Sequence, residues 1–246
     1  MRLEGQRARA AFLRRLNRFA VEVERDGRVL RAHLANSGRL TELLERGQHT
    51  ILVASNAPGR KTRYDLALVR FQGVWVSVDA RTAGPLLAEA IAEGRLPEFA
   101  GYRLLRREPL VPQPAPGQSR EESTTDMHRG RFDLLLEGPR GPCYVETKSV
   151  TLVEERRALF PDARTERGAK HMRALASLAE RGTEAAVVFV VQRPDAEEFA
   201  PNWKSDPNFG WELVAARRAG VRVLACRARV TPYEVAILDT IPTMLV

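Results

Sequence analysis

The sequence predicts an α/β fold, α+β overall, in which an N-terminal β-barrel precedes an α/β domain. Short apolar strand patterns separated by turn residues fill about the first 80 residues. Strand and helix patterns alternate in the second half, which is typical of a partly parallel sheet. The chain has 246 residues, enough for two domains that each bury a core. We assign residues 1–82 to the barrel and 83–246 to the α/β domain.

Alternation of apolar and polar residues predicts the strands of the barrel. Phe19, Val21 and Val23 alternate with polar or small neighbours, and residues 25–28 form a predicted hairpin turn before a strand at 29–34. Further strands are predicted at 49–54, 64–71 and 74–78. Several short strands in a segment of this length favour an oligonucleotide-binding (OB) type of barrel.

The second half changes its periodicity several times. After a predicted helix at 83–93 and a Pro-rich loop at 109–126, strands are predicted at 131–136 and 143–149. A helix is predicted over 165–181, with Thr165 as its N-cap and Gly182 as its stop. The apolar run 184–191 predicts a strand buried on both faces, and a helix at 208–219 precedes a strand at 221–228.

The excess positive charge lies in the first half of the chain. Residues 1–110 contain 20 Lys and Arg against 12 Asp and Glu, whereas residues 111–246 contain 19 of each. A basic half beside a neutral half indicates that one part holds a polyanion on which the other acts. The alternative is an Arg-rich surface that keeps the protein in solution, and charge alone does not separate the two.

The cysteines and the apolar runs exclude several classes of protein. The two cysteines, Cys143 and Cys226, lack metal-ligand spacing and are expected to be small core residues. The first 18 residues are dotted with Arg, which does not fit a secretory signal. No apolar run reaches about 18 residues, so we expect no membrane span. A reducing, cytoplasmic location is the expectation.

The most informative segment runs from residue 131 to 148. Arg131 and Asp133 share one face of a predicted strand, and Glu146 and Lys148 share one face of the next. The Gly/Pro-rich turn at 137–142 folds the two strands into a predicted hairpin that brings both pairs together. Two carboxylates beside one ammonium are suited to Mg²⁺ or Mn²⁺. The alternative is a buried ion pair between a carboxylate and the lysine.

Five stretches of the chain resemble one known family. They are Arg131-Phe132-Asp133, Tyr144-Val145-Glu146-Thr147-Lys148-Ser149-Val150-Thr151-Leu152, Phe160-Pro161-Asp162-Ala163-Arg164-Thr165-Glu166-Arg167-Gly168-Ala169-Lys170-His171, Asn36-Ser37-Gly38-Arg39 and Val190-Val191-Gln192-Arg193. Together they are similar to the sugar fermentation stimulation protein (SfsA) family over most of the chain. The resemblance implies an OB-like N-terminal domain and a C-terminal domain of the PD-(D/E)xK nuclease type.

The same resemblance implies which residues carry the chemistry. Asp133, Glu146 and Lys148 match the catalytic core of the nuclease, and Glu108 matches the acidic residue that often precedes it. Metal ligands would then be Asp133, Glu146, Glu108 and the carbonyl of Thr147, although Glu108 equally well pairs with a neighbouring arginine. Two local features depart from the family: the segment between Glu108 and Arg131 is long and Pro-rich, and Thr147 stands where Val is usual.

Basic residues in both halves are candidates for nucleic-acid contact. Each is also compatible with an ordinary solvated surface, and the loop at 56–63 is the best single candidate for a phosphate contact. The predicted contacts are Arg39, Arg60, Lys61, Arg63, Arg131, Arg167 and Lys170, with Arg14, Arg15, Arg18 and Arg31 as further members of a groove.

The hypothesis that follows is a DNA- or RNA-binding protein with metal-dependent nuclease activity, using Mg²⁺ or Mn²⁺. The alternative is a non-catalytic DNA-binding regulator of sugar (maltose) metabolism, a role that comes from the resemblance alone. A third reading is an OB-type binding module with a structural second domain. We expect no membrane partner, and the oligomeric state, including a homodimer, is left open.

Overall fold

Five strands of the first half close into a barrel. The computed structural model of the chain describes residues 1–55, 59–112 and 130–246. Neighbouring strands pair in the order β3-β2-β1-β4-β5-β6, and a parallel pairing of β3 with β5 closes the barrel. The five strands of the barrel are β1 (Arg7–Asn17), β2 (Ala20–Arg25), β3 (Arg28–His33), β4 (His49–Ala54) and β5 (Tyr64–Phe71), and β6 (Val74–Ser77) pairs with β5.

The barrel agrees with the predicted strands at every position but the first. The β2–β3 hairpin turns at Asp26 and Gly27, whose φ angles of 52° and 71° match the left-handed conformation that a two-residue hairpin needs. Strand β1 was not predicted. Its buried residues, Ala8, Ala10 and Phe12, alternate with Arg7, Arg9 and Ala11, so two of its three inward side chains are only alanine.

The second half forms a six-stranded mixed sheet with three helices. The strand order is β15-β14-β12-β9-β8-β7, in which β9, β12 and β14 run parallel and the outer pairs are antiparallel. Its elements are β7 (Arg103–Arg107), β8 (Leu134–Gly138), β9 (Gly141–Val150), β12 (Glu184–Val191), β14 (Arg222–Val230), β15 (Val235–Ile241), α1 (Ala83–Ala92), α2 (Glu166–Glu180) and α3 (Pro207–Arg218).

Three further strands form a small separate sheet. They are β10 (Val153–Glu154), β11 (Arg157–Phe160) and β13 (Glu198–Pro201), in the order β10-β11-β13. None of them was predicted, and neither were β7 and β15.

The predicted strand at 131–136 starts too early. Strand β8 begins at Leu134, while Arg131 makes only an isolated bridge with Leu110. Asp133 therefore lies just before the strand, where its amide still donates to the carbonyl of Val145 at 3.1 Å. Most of the predicted loop at 109–126 lies outside the described residues.

Apolar packing ties the barrel to the second sheet. One core fills the barrel, and a second lies between the sheet and helices α2 and α3. A third core joins Ile51 and Leu68 of the barrel to Leu87 of α1 and Leu136 of the sheet. This third core is therefore an apolar interior that both halves share.

Gln192 and Arg193, at the end of β12, hold the two halves together. The amide of Ser77 in the barrel donates to the carbonyl of Gln192 at 2.9 Å. The Gln192 side chain donates to the Asp79 carbonyl at 3.2 Å and to the Thr82 hydroxyl at 2.8 Å. The guanidinium of Arg193 lies 5.3 Å from the centre of the Phe71 ring. Both residues thus belong to the domain junction.

No helix among residues 1–55, 59–112 and 130–246 is long and apolar enough to cross a membrane. The longest of them, α2, has 15 residues, whereas a span needs about 20.

Candidate active site

The β8–β9 hairpin brings the predicted carboxylates and lysine together. Leu134 of β8 pairs with Val145 of β9, so that Asp133, one residue before β8, lies next to Glu146 of β9. Glu146 and Lys148 lie on the same face of β9, with Lys148 Nζ 2.6 Å from Glu146 Oε1. The prediction that strand alternation would align this pair is confirmed.

One oxygen of Asp133 is held by the next strand. Its Oδ2 accepts hydrogen bonds from the amide and the hydroxyl of Thr147, at 2.7 and 2.5 Å. Burial raises the pKa of Asp133, and the neighbouring charge of Glu146 raises it further. A cation between the two carboxylates would remove this unfavourable repulsion.

Glu146 is buried with only one of its two oxygens hydrogen-bonded. Its side chain is 4% exposed, and Oε1 lies against both Lys148 Nζ and His171 Nδ1. Burial acts to raise the pKa of Glu146, but the ammonium of Lys148 and the ring of His171 outweigh it and lower the pKa. Oε2 is buried and accepts no hydrogen bond from any residue that the structure describes. An unpaired buried carboxylate oxygen needs an explanation.

A bound divalent cation would supply that explanation. Glu146 Oε2 and Asp133 offer hard oxygen donors at neighbouring positions of the hairpin, and oxygen donors are the ligand type of Mg²⁺ and Mn²⁺. In the described part of the chain, no three His, Cys, Asp or Glu side chains converge as a metal cluster. Two carboxylates nevertheless suffice for Mg²⁺, which usually keeps several waters and is completed by substrate phosphates.

The carboxylates open into a cavity of about 580 Å³ with a cationic rim. Three guanidinium groups line it beside the predicted residues, and two of these, Arg81 and Arg107, were missed from the sequence. The first lies between the domains, and the second was read only as a partner for Glu108. The lining includes Arg81, Arg107, Glu108, Asp133, Glu146, Thr147, Lys148 and Arg167.

Glu108 lies at the rim of this cavity. Its amide donates to the carbonyl of Asp133 at 2.9 Å, and its carbonyl accepts from Arg131 Nη1 at 3.0 Å. Its backbone has φ 50°, a left-handed conformation that costs a non-glycine residue free energy. Both neighbours therefore fix the backbone of Glu108, while its carboxylate is exposed and does not complete a three-carboxylate cluster.

Helix α2 supplies His171 and Arg167. Thr165 caps the helix as predicted, because its hydroxyl accepts from the amide of Gly168 at 3.0 Å. One turn later His171, buried at 7% exposure, reaches Glu146. The contact with Glu146 makes His171 a supporting residue of the site.

The predicted nucleic-acid residues are not all in one place. Arg167 lines the cavity, Lys170 lies half-buried on the same helix, and Arg131 is exposed beside Glu108. Arg39 lies on an exposed loop of the barrel domain, next to Arg18. The other three, Arg60, Lys61 and Arg63, do not line the cavity, and residues 56–58 of their loop lie outside the described part.

Arg15 has a structural contact pattern. Its guanidinium donates to the carbonyls of Gly38 and Arg39, both at 2.7 Å, and to that of Arg18 at 2.8 Å. These bonds fix the loop at 36–39 instead of leaving the guanidinium for phosphate.

Arg60 is engaged by Asp65. Its guanidinium forms an ion pair with this carboxylate, which also contacts His33 at 2.9 Å and Arg81 at 3.1 Å. Burial acts to raise the pKa of Asp65, but these three hydrogen-bond partners outweigh it and lower the pKa to about 2. The cluster connects the barrel to the rim of the cavity through Arg81.

Asp65 is expected to make the fold sensitive to acid. A pKa depressed from 3.8 to about 2 contributes about 2 kcal/mol of stability, present above pH ~4 and lost as the pH falls toward 2. The acid limb is the fall in the free energy of unfolding as the pH drops from ~4 toward 2. Asp65→Asn should therefore flatten the acid limb when this free energy is measured in urea from pH ~2 to ~7. Asp26→Asn, at an exposed carboxylate, is the matched control and should leave it unchanged. An unchanged acid limb in Asp65→Asn would contradict the assignment.

Comparison with known proteins agrees with this architecture. Residues 13–78 match the model of the SfsA N-terminal OB domain, and residues 81–234 match that of the sugar fermentation stimulation protein RE domain. The chain belongs to the SfsA family. The predicted family and the OB barrel followed by an α/β domain are thereby confirmed, while the boundary at residues 82 and 83 stays a prediction.

Individual relatives cover nearly the whole chain. The sugar fermentation stimulation protein homolog of Moorella thermoacetica is 42% identical over 241 residues, covering 96% of each chain. That of Acetivibrio thermocellus is 38% identical over 248 residues, covering all of both. The structure of Pyrococcus furiosus SfsA in complex with Ca²⁺ has a TM-score of 0.85 and 31% identity, and the match covers 99% of both chains.

Proposed function

We propose that this SfsA-family protein is a metal-dependent nuclease that binds DNA or RNA and hydrolyses its phosphodiester bonds. The observation that carries the proposal is the buried, unpaired Oε2 of Glu146, next to Asp133 and Lys148 in a cavity rimmed by three arginines. The Ca²⁺ in the Pyrococcus furiosus structure supports it, since Ca²⁺ and Mg²⁺ both prefer oxygen ligands.

Asp133 and Glu146 would hold Mg²⁺ or Mn²⁺, with the carbonyl of Thr147 as a further ligand and Glu108 at the rim. The bound ion would lower the pKa of a coordinated water and neutralise charge on phosphate oxygens. His171 and Lys148 both contact Oε1 of Glu146, which leaves Oε2 as the oxygen available to an ion.

The cations of the cavity would act on the phosphate. Lys148, a compact charge 12% exposed, faces the same cavity and would stabilise negative charge that develops on phosphate oxygens. Arg107 and Arg167 would bind flanking phosphates through paired N–H donors, while Arg81, whose guanidinium is paired with Asp79 and Asp65, would add positive charge at the rim. The two free, buried cysteine thiols are compatible with the reducing cytoplasm, where we place the activity.

The test is cleavage of matched single- and double-stranded DNA and RNA with Mg²⁺, Mn²⁺ or EDTA. The expected result is cleavage that needs metal and disappears in EDTA, with Lys148→Ala prepared in parallel to exclude a contaminating nuclease. Binding is measured separately in EDTA at rising salt and should weaken steeply, since phosphate contacts dominate it. Salt-sensitive binding without cleavage on any substrate would reject the nuclease and support the DNA-binding regulator.

A further inference from the structure

The cavity of about 580 Å³ that is lined by Asp133, Glu146 and Lys148 is called the metal cavity below. A second cavity, of about 310 Å³, lies beside it at the junction of the two domains. The two share Ala80, Thr147 and Lys148 as lining residues, so a ligand in one is next to a ligand in the other. One wall comes from the barrel domain, at Arg18 and the loop at 36–38. The other comes from residues 147–152 and 159–165 of the second domain.

The lining combines positive charge, hydroxyl groups and an aromatic ring. Arg18 and Arg164 are exposed guanidinium groups on opposite walls, suited to phosphate. Ser37 and Ser149 add hydroxyls, and the half-buried ring of Phe160 adds an apolar surface. A phosphate, a sugar and a base need these three kinds of contact, whereas a bare phosphate would need only the first.

The barrel wall of this cavity is held in place. Arg15 binds the carbonyls of Gly38 and Arg39, and the amide of Arg39 donates to Asp162 Oδ2 of the second domain at 2.7 Å. At Gly38 a side chain would not fit, since a Cβ there would lie 2.5 Å from the same oxygen. These contacts also occupy Oδ2 of Asp162, which is the only carboxylate among the described residues of the lining, so that one of its two acceptor oxygens is already used. A wall fixed in advance reduces the entropy lost on binding.

The size of the cavity limits what enters it. A volume of 310 Å³ is at the lower end of ligand pockets, which run from about 300 to 1,000 Å³. It suits one nucleotide and is too small for a base pair. Enzymes that must reach a single nucleotide act on single strands or take the nucleotide out of the duplex.

The geometry points to this cavity as the binding site of one unpaired nucleotide next to the scissile phosphate, so that the substrate is single-stranded at the point of cleavage. The inference rests on the proposed nuclease function and names its substrate class. A single strand would pass from Arg18 and Arg164 to the metal cavity past Lys148, which borders both.

The binding test uses a fluorescein-labelled twelve-nucleotide DNA strand, alone or annealed to its complement, in EDTA so that nothing is cut. The wild-type protein is expected to bind the single strand at least about tenfold more tightly than the blunt duplex. Arg164→Ala and Ser37→Glu, which remove or oppose positive charge in the cavity, should reduce that preference to less than about threefold. The control is Arg181→Ala, which removes an exposed arginine at the end of α2 and should keep the full preference. Equal binding of both DNAs by the wild type, or an unchanged preference in both cavity variants, would overturn the inference.

Cleavage in Mn²⁺ separates this inference from the nuclease proposal. A blunt duplex and the same duplex with an unpaired stretch are compared, and cleavage is expected only in or beside the unpaired stretch. Equal cleavage of both would overturn the unpaired-nucleotide site while keeping the nuclease. A single-strand binding preference with no cleavage of any substrate would reject the nuclease and keep the nucleotide site.

Discussion

Glu146→Gln is expected to weaken Mn²⁺ binding by about a hundredfold and to reduce cleavage by 10²–10³-fold. The substitution keeps the size of the side chain but removes the charge on Oε2, the buried oxygen that accepts no hydrogen bond from the described residues. It also removes the negative charge that pairs with the ammonium of Lys148, so that the surroundings of both the metal and the ammonium change. Metal affinity is measured by calorimetry and cleavage on the preferred substrate.

The matched control is Glu184→Gln on the neighbouring strand β12. Glu184 has a similarly low exposure, 12%, but is bound by Tyr102 and Arg140 instead of facing the cavity. Metal affinity should be unchanged in this control. Thermal unfolding of each variant shows whether a loss of binding comes from a loss of structure. A folded Glu146→Gln protein that binds Mn²⁺ like the wild type would reject the metal site.

Lys148→Ala should separate binding from catalysis at the same site. The lysine offers no oxygen to a metal, so Mn²⁺ affinity is expected to stay within about tenfold of the wild type. Cleavage should fall by 10²–10³-fold, because the charge that faces the phosphate is gone. If Lys148→Ala and Glu146→Gln lose metal binding equally, the lysine serves to keep the site intact and does not act on the phosphate.

Arg193→Ala is expected to destabilise the protein by about 3 kcal/mol. Arg193 is 1% exposed and makes a two-pronged ion pair with Asp195, at 2.7 and 2.6 Å, while also donating to the carbonyl of Thr151 at 3.1 Å. Removing it leaves a partly buried carboxylate unpaired and withdraws the cation from the ring of Phe71 in the barrel. The free energy of unfolding is measured in urea.

Arg227→Ala provides a comparison with the same geometry at higher exposure. Arg227 also binds its partner, Asp239, through two bonds of 2.7 and 2.8 Å, but the two side chains are 27% and 43% exposed. Solvent screens such a pair, so the expected loss is below about 1 kcal/mol. Equal losses in the two variants would show that burial at the junction adds nothing to the Arg193 contact.

Local sequence patterns predicted those elements in which apolar and polar residues contrast strongly. The hairpin at Asp26 and Gly27 was predicted at its observed position, because turn chemistry and alternation coincide there, and strand β4 has the bounds that were predicted. Strand β1 was missed since alanine on its inner face gives little contrast. All five residues of β7 are exposed, so this edge strand has no alternation between buried and exposed positions to read.

The residues of the candidate site likewise divide into those that a local pattern predicted and those that it missed. The alternation of side chains along β9 was sufficient to predict Glu146 beside Lys148. Arg81 and His171 reach the same site from a short turn before α1 and from α2, and no spacing in the sequence relates them to Glu146. Arg60 was predicted to contact phosphate, but its guanidinium forms an ion pair with Asp65. The positions of these two residues in the sequence did not predict this ion pair.

The apolar interior shared by Ile51, Leu68, Leu87 and Leu136 decides how the proposed binding and cleavage activities can be studied separately. A barrel expressed without the rest of the chain would turn Ile51 and Leu68 to water, and the remaining half would do the same with Leu87 and Leu136. Such fragments would be prone to self-association. Binding and cleavage measured on them would then reflect the exposed apolar surface more than the function of each half. Attributing each activity to its own half of the molecule therefore calls for point substitutions in the intact chain.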